Sequence, residues 1–177
     1  MESVLKAADF AANKHKDQRR KNKSATPYIN HPIGVANILT SEGKITDPIV
    51  IQAALLHDTV EETDTTIEEI GDVFGDKIKQ IVAEVTDDKN LPKQTRKQIQ
   101  IDTAHKKSPE AKLVKLADKL HNLRSLDSAD GIPVGWEEQR INEYFIWAFN
   151  VVKGLRGTNA MMEKELDKLF QKHGVSG

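Results

Sequence analysis

Four side chains in this sequence combine into a set that could hold a divalent metal: His31, the adjacent pair His57-Asp58, and Asp118. Two imidazoles with two carboxylates form an N2O2 donor set, which suits Mn, Fe, Ni or Zn and leaves positions for water and substrate. The chain has no cysteine, which excludes disulfides, thiolate zinc sites and thiol nucleophiles. An open donor set of this kind points to metal-assisted hydrolysis rather than to a closed structural site. Each member alone is ordinary. A His-Asp dipeptide arises by chance about once in two chains of this composition. His31, in Tyr28-Ile29-Asn30-His31-Pro32, also reads as a loop or capping histidine. Asp118 falls between a lysine face (Lys112, Lys115, Lys119) and an apolar face (Leu113, Leu116, Leu120, Leu123), where a solvated boundary residue would sit.

The elements that must position these groups are helices. Asp47 can cap, and Pro48 can open, a helix whose run Ile49 to Leu56 is apolar on all sides and therefore central. Beyond it, Ile51, Leu55, Asp58 and Glu62 fall on one helical stripe, with His57 and Glu61 a turn apart beside it. Carboxylates and imidazoles carried inward by such a helix are costly unless something compensates them, and a bound cation does so. The alternative is a helix that leaves the core at His57 with its remainder solvated.

The other predicted helices are Glu2 to Lys16, Pro32 to Glu42 and a short one from the capping box Thr66 to Glu69 that ends near Gly75. They continue with Asp76 to Val85, a polar and peripheral Lys93 to His105, Pro109 to Leu126, Trp136 to Leu155 and Asn159 to His173. No stretch alternates like a strand, and there is no repeat or linker. The expectation is one all-α domain spanning residues 1–177, a compact bundle of about eight to ten helices. A net charge of −1 lacks the basic excess of a duplex-binding protein. No apolar run is long enough to span a membrane and no signal pattern opens the chain, so a soluble, cytoplasmic protein is expected.

The order His31, His57-Asp58, Asp118 resembles the HD superfamily of metal-dependent phosphohydrolases. The flanking words Thr26-Pro27-Tyr28-Ile29-Asn30-His31-Pro32, Ala54-Leu55-Leu56-His57-Asp58-Thr59-Val60-Glu61 and Lys115-Leu116-Ala117-Asp118-Lys119-Leu120-His121-Asn122-Leu123-Arg124 are similar to the hydrolase half of RelA/SpoT proteins, most of all to free-standing metazoan members. The similarity runs from about Ala7 to Leu169 and leaves no room for a synthetase or regulatory domain. It implies an HD-type helical bundle and removal of the 3′-pyrophosphate from the alarmone ppGpp, giving GDP and pyrophosphate, with Mn²⁺ as the metal (Zn²⁺ or Fe²⁺ being alternatives). It also implies an NADPH 2′-phosphatase activity.

Carried over by position, His31, His57, Asp58 and Asp118 match the metal ligands. Glu61 and Glu62 match an acidic pair that positions or activates water, although the family usually has Asp at the second place. Arg20, Lys21, Lys93, Asn122, Arg124 and Tyr144 match contacts to the nucleotide and its phosphates, and His121 is given no role. Read without the resemblance, Arg19 to Lys23 is a solvated helix end, and Tyr144 and Trp147 are core residues. Two other functions stay open from sequence: an HD nucleotidase of different substrate range, and a catalytically silent nucleotide sensor. The partner expected is a small nucleotide, not nucleic acid or a membrane; the oligomeric state is not fixed.

Overall fold

The computed structural model describes residues 1–176. Its helices are α1 (Glu2–Lys14), α2 (Asn30–Ser41), α3 (Pro48–Leu56), α4 (Thr59–Glu62), α5 (Ile67–Phe74), α6 (Asp76–Val85), α7 (Lys93–Thr103), α8 (Pro109–Leu126), α9 (Glu138–Lys153) and α10 (Ala160–Lys172). Single 3₁₀ turns lie at Ala104–Lys106 and Ala129–Gly131. Among the described residues there is no strand; two isolated bridges, Arg19 with Pro27 and Asn22 with Pro133, pin the loop between α1 and α2. No helix is long and apolar enough to cross a membrane.

Two helices form the centre, each for a reason visible in its residues. α3 starts where the Asp47 carboxylate accepts the Ile49 N–H at 2.9 Å and Pro48 occupies the first position. It is apolar all round, and α1, α2, α6 and α8 pack around it. Ala7 and Ala11 of α1 are fully buried and let that helix approach closely. α8 starts in the same way, with the Ser108 hydroxyl accepting the Ala111 N–H and Pro109 following the cap. It carries Leu116, Leu120 and Leu123 into the core, and it packs on α2, α3, α6, α9 and α10. At its far end Asp127 accepts bonds from Lys172 and His173, both at 2.8 Å, which ties α10 down. α7 buries no residue and lies on α9, peripheral as its polar sequence requires.

The structure corrects the expected helix around His57. α3 does not continue through Asp58 and Glu62 as one stripe. The His57 ring donates from Nδ1 to the Ala54 carbonyl at 2.6 Å, and the Thr59 hydroxyl donates to the Leu56 carbonyl at 2.7 Å. Side chains thus take up carbonyls at the helix end, the chain turns at His57-Asp58, and α4 adds one short turn. Elsewhere the expected helices hold, with ends shifted by a residue or two. Gly75, at φ +91°, makes the sharp joint between α5 and α6, a conformation glycine adopts without strain.

Candidate metal centre and adjoining pocket

The four expected ligands come from three places. His31 lies in the first turn of α2, His57-Asp58 in the turn between α3 and α4, and Asp118 in the middle of α8. Donor atoms of His31, His57 and Asp118 all lie within 4.8 Å of one another. The His31 Nε2 is 3.1 Å from Asp118 Oδ1 and 3.4 Å from Asp58 Oδ2. The His57 Nε2 is 3.3 Å from Asp58 Oδ2 and 3.6 Å from Asp118 Oδ1. Ligand bonds of roughly 2.0–2.2 Å set neighbouring donors of a single ion about 3–3.6 Å apart, so the cluster of His31, His57 and Asp118 fits one cation, with Asp58 beside both imidazoles.

One atom makes the stronger case. The proton of His57 is fixed on Nδ1 by the Ala54 carbonyl, so Nε2 presents a lone pair. That Nε2 is buried without a hydrogen-bond partner and faces two carboxylate oxygens. Lone pairs do not hold one another in a buried space; a positive centre between them does. In the metal-free protein a second proton serves. Burial pushes the His57 pKa down, but Asp58 and Asp118 outweigh it and lift it to about 9.

The rest of the set is held in place by its neighbours. The Tyr28 hydroxyl donates to Asp58 Oδ2 at 2.7 Å, and its own ring stacks on His15. Asn122 donates to Asp118 Oδ1 at 2.9 Å and accepts from Arg20 at 3.2 Å, linking the ligand to the loop cation. Lys119 Nζ sits 3.0 Å from Asp118 Oδ2. Burial pushes the Asp118 carboxyl up, but Lys119 and the two imidazoles hold it well below its ordinary range. His121 places Nδ1 2.9 Å from Nδ1 of His31, and burial beside His31 and Arg20 pushes its pKa down to about 3.

The four expected ligands, with Tyr28, Arg20, Lys119 and Asn122, line a cavity of about 200 Å³, which His121 does not reach. Arg20, His31, His57, Asp58, Glu61, Glu62, Asp118 and Asn122 all reach it, so eight of the expected site residues share one wall. Glu61 Oε1 accepts the Asp87 N–H at 2.7 Å. Burial lifts its pKa to about 7, the Asp87 bond lowering it and Asp58 raising it. Glu62 stands at the rim, 3.6 Å from Lys89. Lys93 and Tyr144 line a neighbouring, larger cavity of about 540 Å³ together with Lys97, Trp136 and Arg140. Trp147 belongs to the smaller cavity and Tyr144 to the larger, and their rings meet at 5.2 Å. Lys21 lines a flanking groove with Arg20, Tyr28 and Glu62. Arg124 does not reach the metal cavity: its guanidinium forks onto Glu42 at 2.6 and 2.8 Å.

Sequence reasoning gave no role to Tyr28, Lys115, Lys119 or Gln100, which also line the cavity. The expected solvated lysine face of α8 is in part an inward one: Lys115 is 5% and Lys119 3% exposed. Lys115 donates to Gln100 at 3.0 Å, and burial pushes its pKa down to about 8. The i, i+4 spacing of the two lysines on the Asp118 helix was the available signal.

Comparison with known proteins agrees with this geometry. Residues 7–141 match the HD domain family. The chain is similar to guanosine-3′,5′-bis(diphosphate) 3′-pyrophosphohydrolase MESH1 of Mus musculus, with 59% identity over 173 residues, covering 98% of this chain and 96% of the relative. The Drosophila melanogaster protein of the same name is 50% identical over 171 residues, covering 97% and 94%. A solved structure described as "A metazoan ortholog of SpoT hydrolyzes ppGpp and plays a role in starvation responses" superposes with a TM-score of 0.96 at 49% identity, covering 99% of this chain and 98% of the other.

Proposed function

Because the chain belongs to the HD domain family, whose MESH1 members it matches over nearly its whole length, we propose that it hydrolyses ppGpp to GDP and pyrophosphate. The observation that carries this is the buried Nε2 of His57, without a hydrogen-bond partner and facing two carboxylates, inside a cavity rimmed with cations. His31, His57, Asp58 and Asp118 would hold one divalent cation; the donor set suits Mn²⁺, Fe²⁺ or Zn²⁺, and Mn²⁺ is taken first on the sequence resemblance alone. When bound, it supplies Lewis acidity at a phosphoryl oxygen and lowers the pKa of water.

The chain's own residues do the remaining work. The oxygen of water bonds to the phosphorus carried on the ribose 3′ oxygen, and the bond from that phosphorus to the 3′ oxygen breaks. Glu61 takes the proton the water loses and returns it to the 3′ oxygen, a task for which a carboxyl near neutrality is matched. Tyr28 keeps Asp58 oriented, and Asn122 does the same for Asp118. Arg20, Lys115 and Lys119 offset the charge on the non-bridging oxygens. The remainder of the nucleotide extends past Trp147 and Tyr144 into the larger cavity, where Lys93, Lys97 and Arg140 meet its other diphosphate.

Incubation of purified protein with Mn²⁺ and ppGpp is expected to release GDP and pyrophosphate. Binding without turnover in Mn²⁺, Zn²⁺ and Fe²⁺ alike would overturn the proposal. NADPH belongs in the same assay as a second substrate, its readout NADH and free phosphate; its inclusion rests on sequence resemblance alone.

The pairing of Arg124 gives it a different place in this scheme. Its partner Glu42 is held below the ordinary carboxylate range by that bond, burial opposing. Both side chains are about one-third exposed, so the pair contributes no more than about 1 kcal/mol. Arg124→Ala is therefore expected to cost at most that in a thermal melt and to leave KM for ppGpp within about twofold. A large rise in KM would return Arg124 to the substrate.

A further inference from the structure

His57 and His31 are oriented in different ways. The His57 ring is held by a carbonyl of its own helix. His31, 2% exposed in the first turn of α2, bonds through Nδ1 to a side chain of another helix, His121 of α8. The two rings lie 4.8 Å apart at 59°, with the Nδ1 atoms 2.9 Å from each other. α8 also supplies Asp118, one turn before His121, which faces His31 Nε2 at 3.1 Å. One helix therefore meets both nitrogens of the same imidazole.

A glycine makes room for this contact. A Cβ at Gly34, one turn after His31 on α2, would lie 2.2 Å from Nε2 and 2.4 Å from Cδ2 of His121. Gly34 lies inside α2 and has no positive φ, so its backbone does not require glycine. Glycine is among the weakest helix formers, and what it provides here is space for the His121 ring.

We propose that His121 is a positioning residue for the metal site: its Nδ1 accepts the hydrogen bond that fixes His31 with Nε2 toward the cation, and Gly34 is the space that admits it. The inference rests on His31 being a metal ligand. If His31 Nε2 gives its lone pair to a cation, the ring proton lies on Nδ1 and needs an acceptor. The acceptor at hydrogen-bond distance is His121 Nδ1, whose own proton then lies on Nε2, on the Gly34 side. Outer groups that orient a ligating imidazole in this way commonly govern metal affinity.

The test compares Mn²⁺ affinity, read from the electron paramagnetic resonance of free Mn²⁺, in the wild type and four variants. His121→Phe keeps a ring but no acceptor, and Gly34→Ala displaces the ring while favouring the helix. Both are expected to bind Mn²⁺ about 10–100-fold more weakly, with helical content retained by circular dichroism. His121→Asn, whose carbonyl oxygen can take the place of Nδ1, is expected to recover most of the loss. His31→Ala tests the underlying reading: wild-type affinity in that variant removes His31 from the ligands and the inference with it. Loss of affinity in His31→Ala alongside wild-type affinity in His121→Phe overturns the positioning role alone. In the unaltered protein loaded with Zn²⁺, ¹⁵N spectra should show a protonated His31 Nδ1 coupled to an unprotonated His121 Nδ1. The opposite protonation overturns the proposal even if a variant fails to fold.

Discussion

Asp58→Ala protein, supplied with Mn²⁺ and ppGpp, is expected to turn over at about one-thousandth of the wild-type kcat/KM or less. The magnitude follows from what is removed. A metal's stabilisation of charge on a phosphoryl group is worth several kcal/mol, and each 1.36 kcal/mol is about a factor of ten in rate. Asp58 Oδ2 is within 3.4 Å of both imidazole Nε2 atoms, so its loss removes a donor and one negative charge from the same place. Mn²⁺ affinity should fall with activity. The fold should not, because α3 and α8 are held by apolar packing that does not pass through the carboxylate. The Tyr28 hydroxyl loses its acceptor, a cost of about 1–3 kcal/mol if water does not replace it. In the metal-free protein His57 also loses one of the two carboxylates that raise its pKa, so its imidazole gives up its second proton more readily. His57→Ala is expected to behave in the same way. Pyrophosphate release, a Mn²⁺ titration and far-UV circular dichroism on the same preparations check all three points. Full activity in Asp58→Ala would sink the metal mechanism.

How much of this was legible in the sequence depended on which information a residue carried. The apolar run of α3, with Asp47 and Pro48 ahead of it, declares both its start and its burial, because capping and composition are local. The break at His57-Asp58 was not legible. It comes from the His57 ring reaching back to Ala54 and the Thr59 hydroxyl reaching Leu56, contacts that no apolar period encodes. The family words placed Asn122 and Arg124 together, but helix geometry separates them. At about 100° per residue, Asn122 returns to within roughly 40° of Asp118, whereas Arg124 lies roughly 120° around the helix. Asn122 accordingly bonds Asp118, and Arg124 bonds Glu42. Lys115 and Lys119 share a face in the sequence, but the sequence does not say which face is covered. α6, α7 and α9 supply the groups around them, including Val85, Gln100 and Trp147, and those contacts are long-range. The contacts of His121 with His31 and Gly34 are likewise between helices, and nothing in its own segment signals them.

Glu61→Gln is the second variant with a large expected effect, and it separates proton transfer from metal binding. The amide keeps an oxygen that can accept the Asp87 N–H, so the side chain should stay where Glu61 is held at 2.7 Å. It cannot take a proton from water at neutral pH. Loss of a positioned general base costs about 10²–10⁴ in kcat, while Mn²⁺ affinity should change little. The pH profile supplies a second readout. Burial lifts the Glu61 carboxyl in the metal-free protein to about 7, and a cation nearby would draw it down. Wild-type kcat/KM should therefore rise with pH through a midpoint at or below about 7, and that limb should vanish in Glu61→Gln. Stability has the opposite sign. A carboxyl raised from its ordinary 4.5 to about 7 binds more protons folded than unfolded, so its contribution is complete below about 4.5 and is lost as pH rises through about 7. The glutamine has nothing to ionise, so metal-free Glu61→Gln should melt at or above the wild type at pH 8, where the wild type carries a buried carboxylate. A variant that loses Mn²⁺ before it loses turnover would make Glu61 a ligand or an orienting group, and an unchanged acidic limb would move the base to another residue.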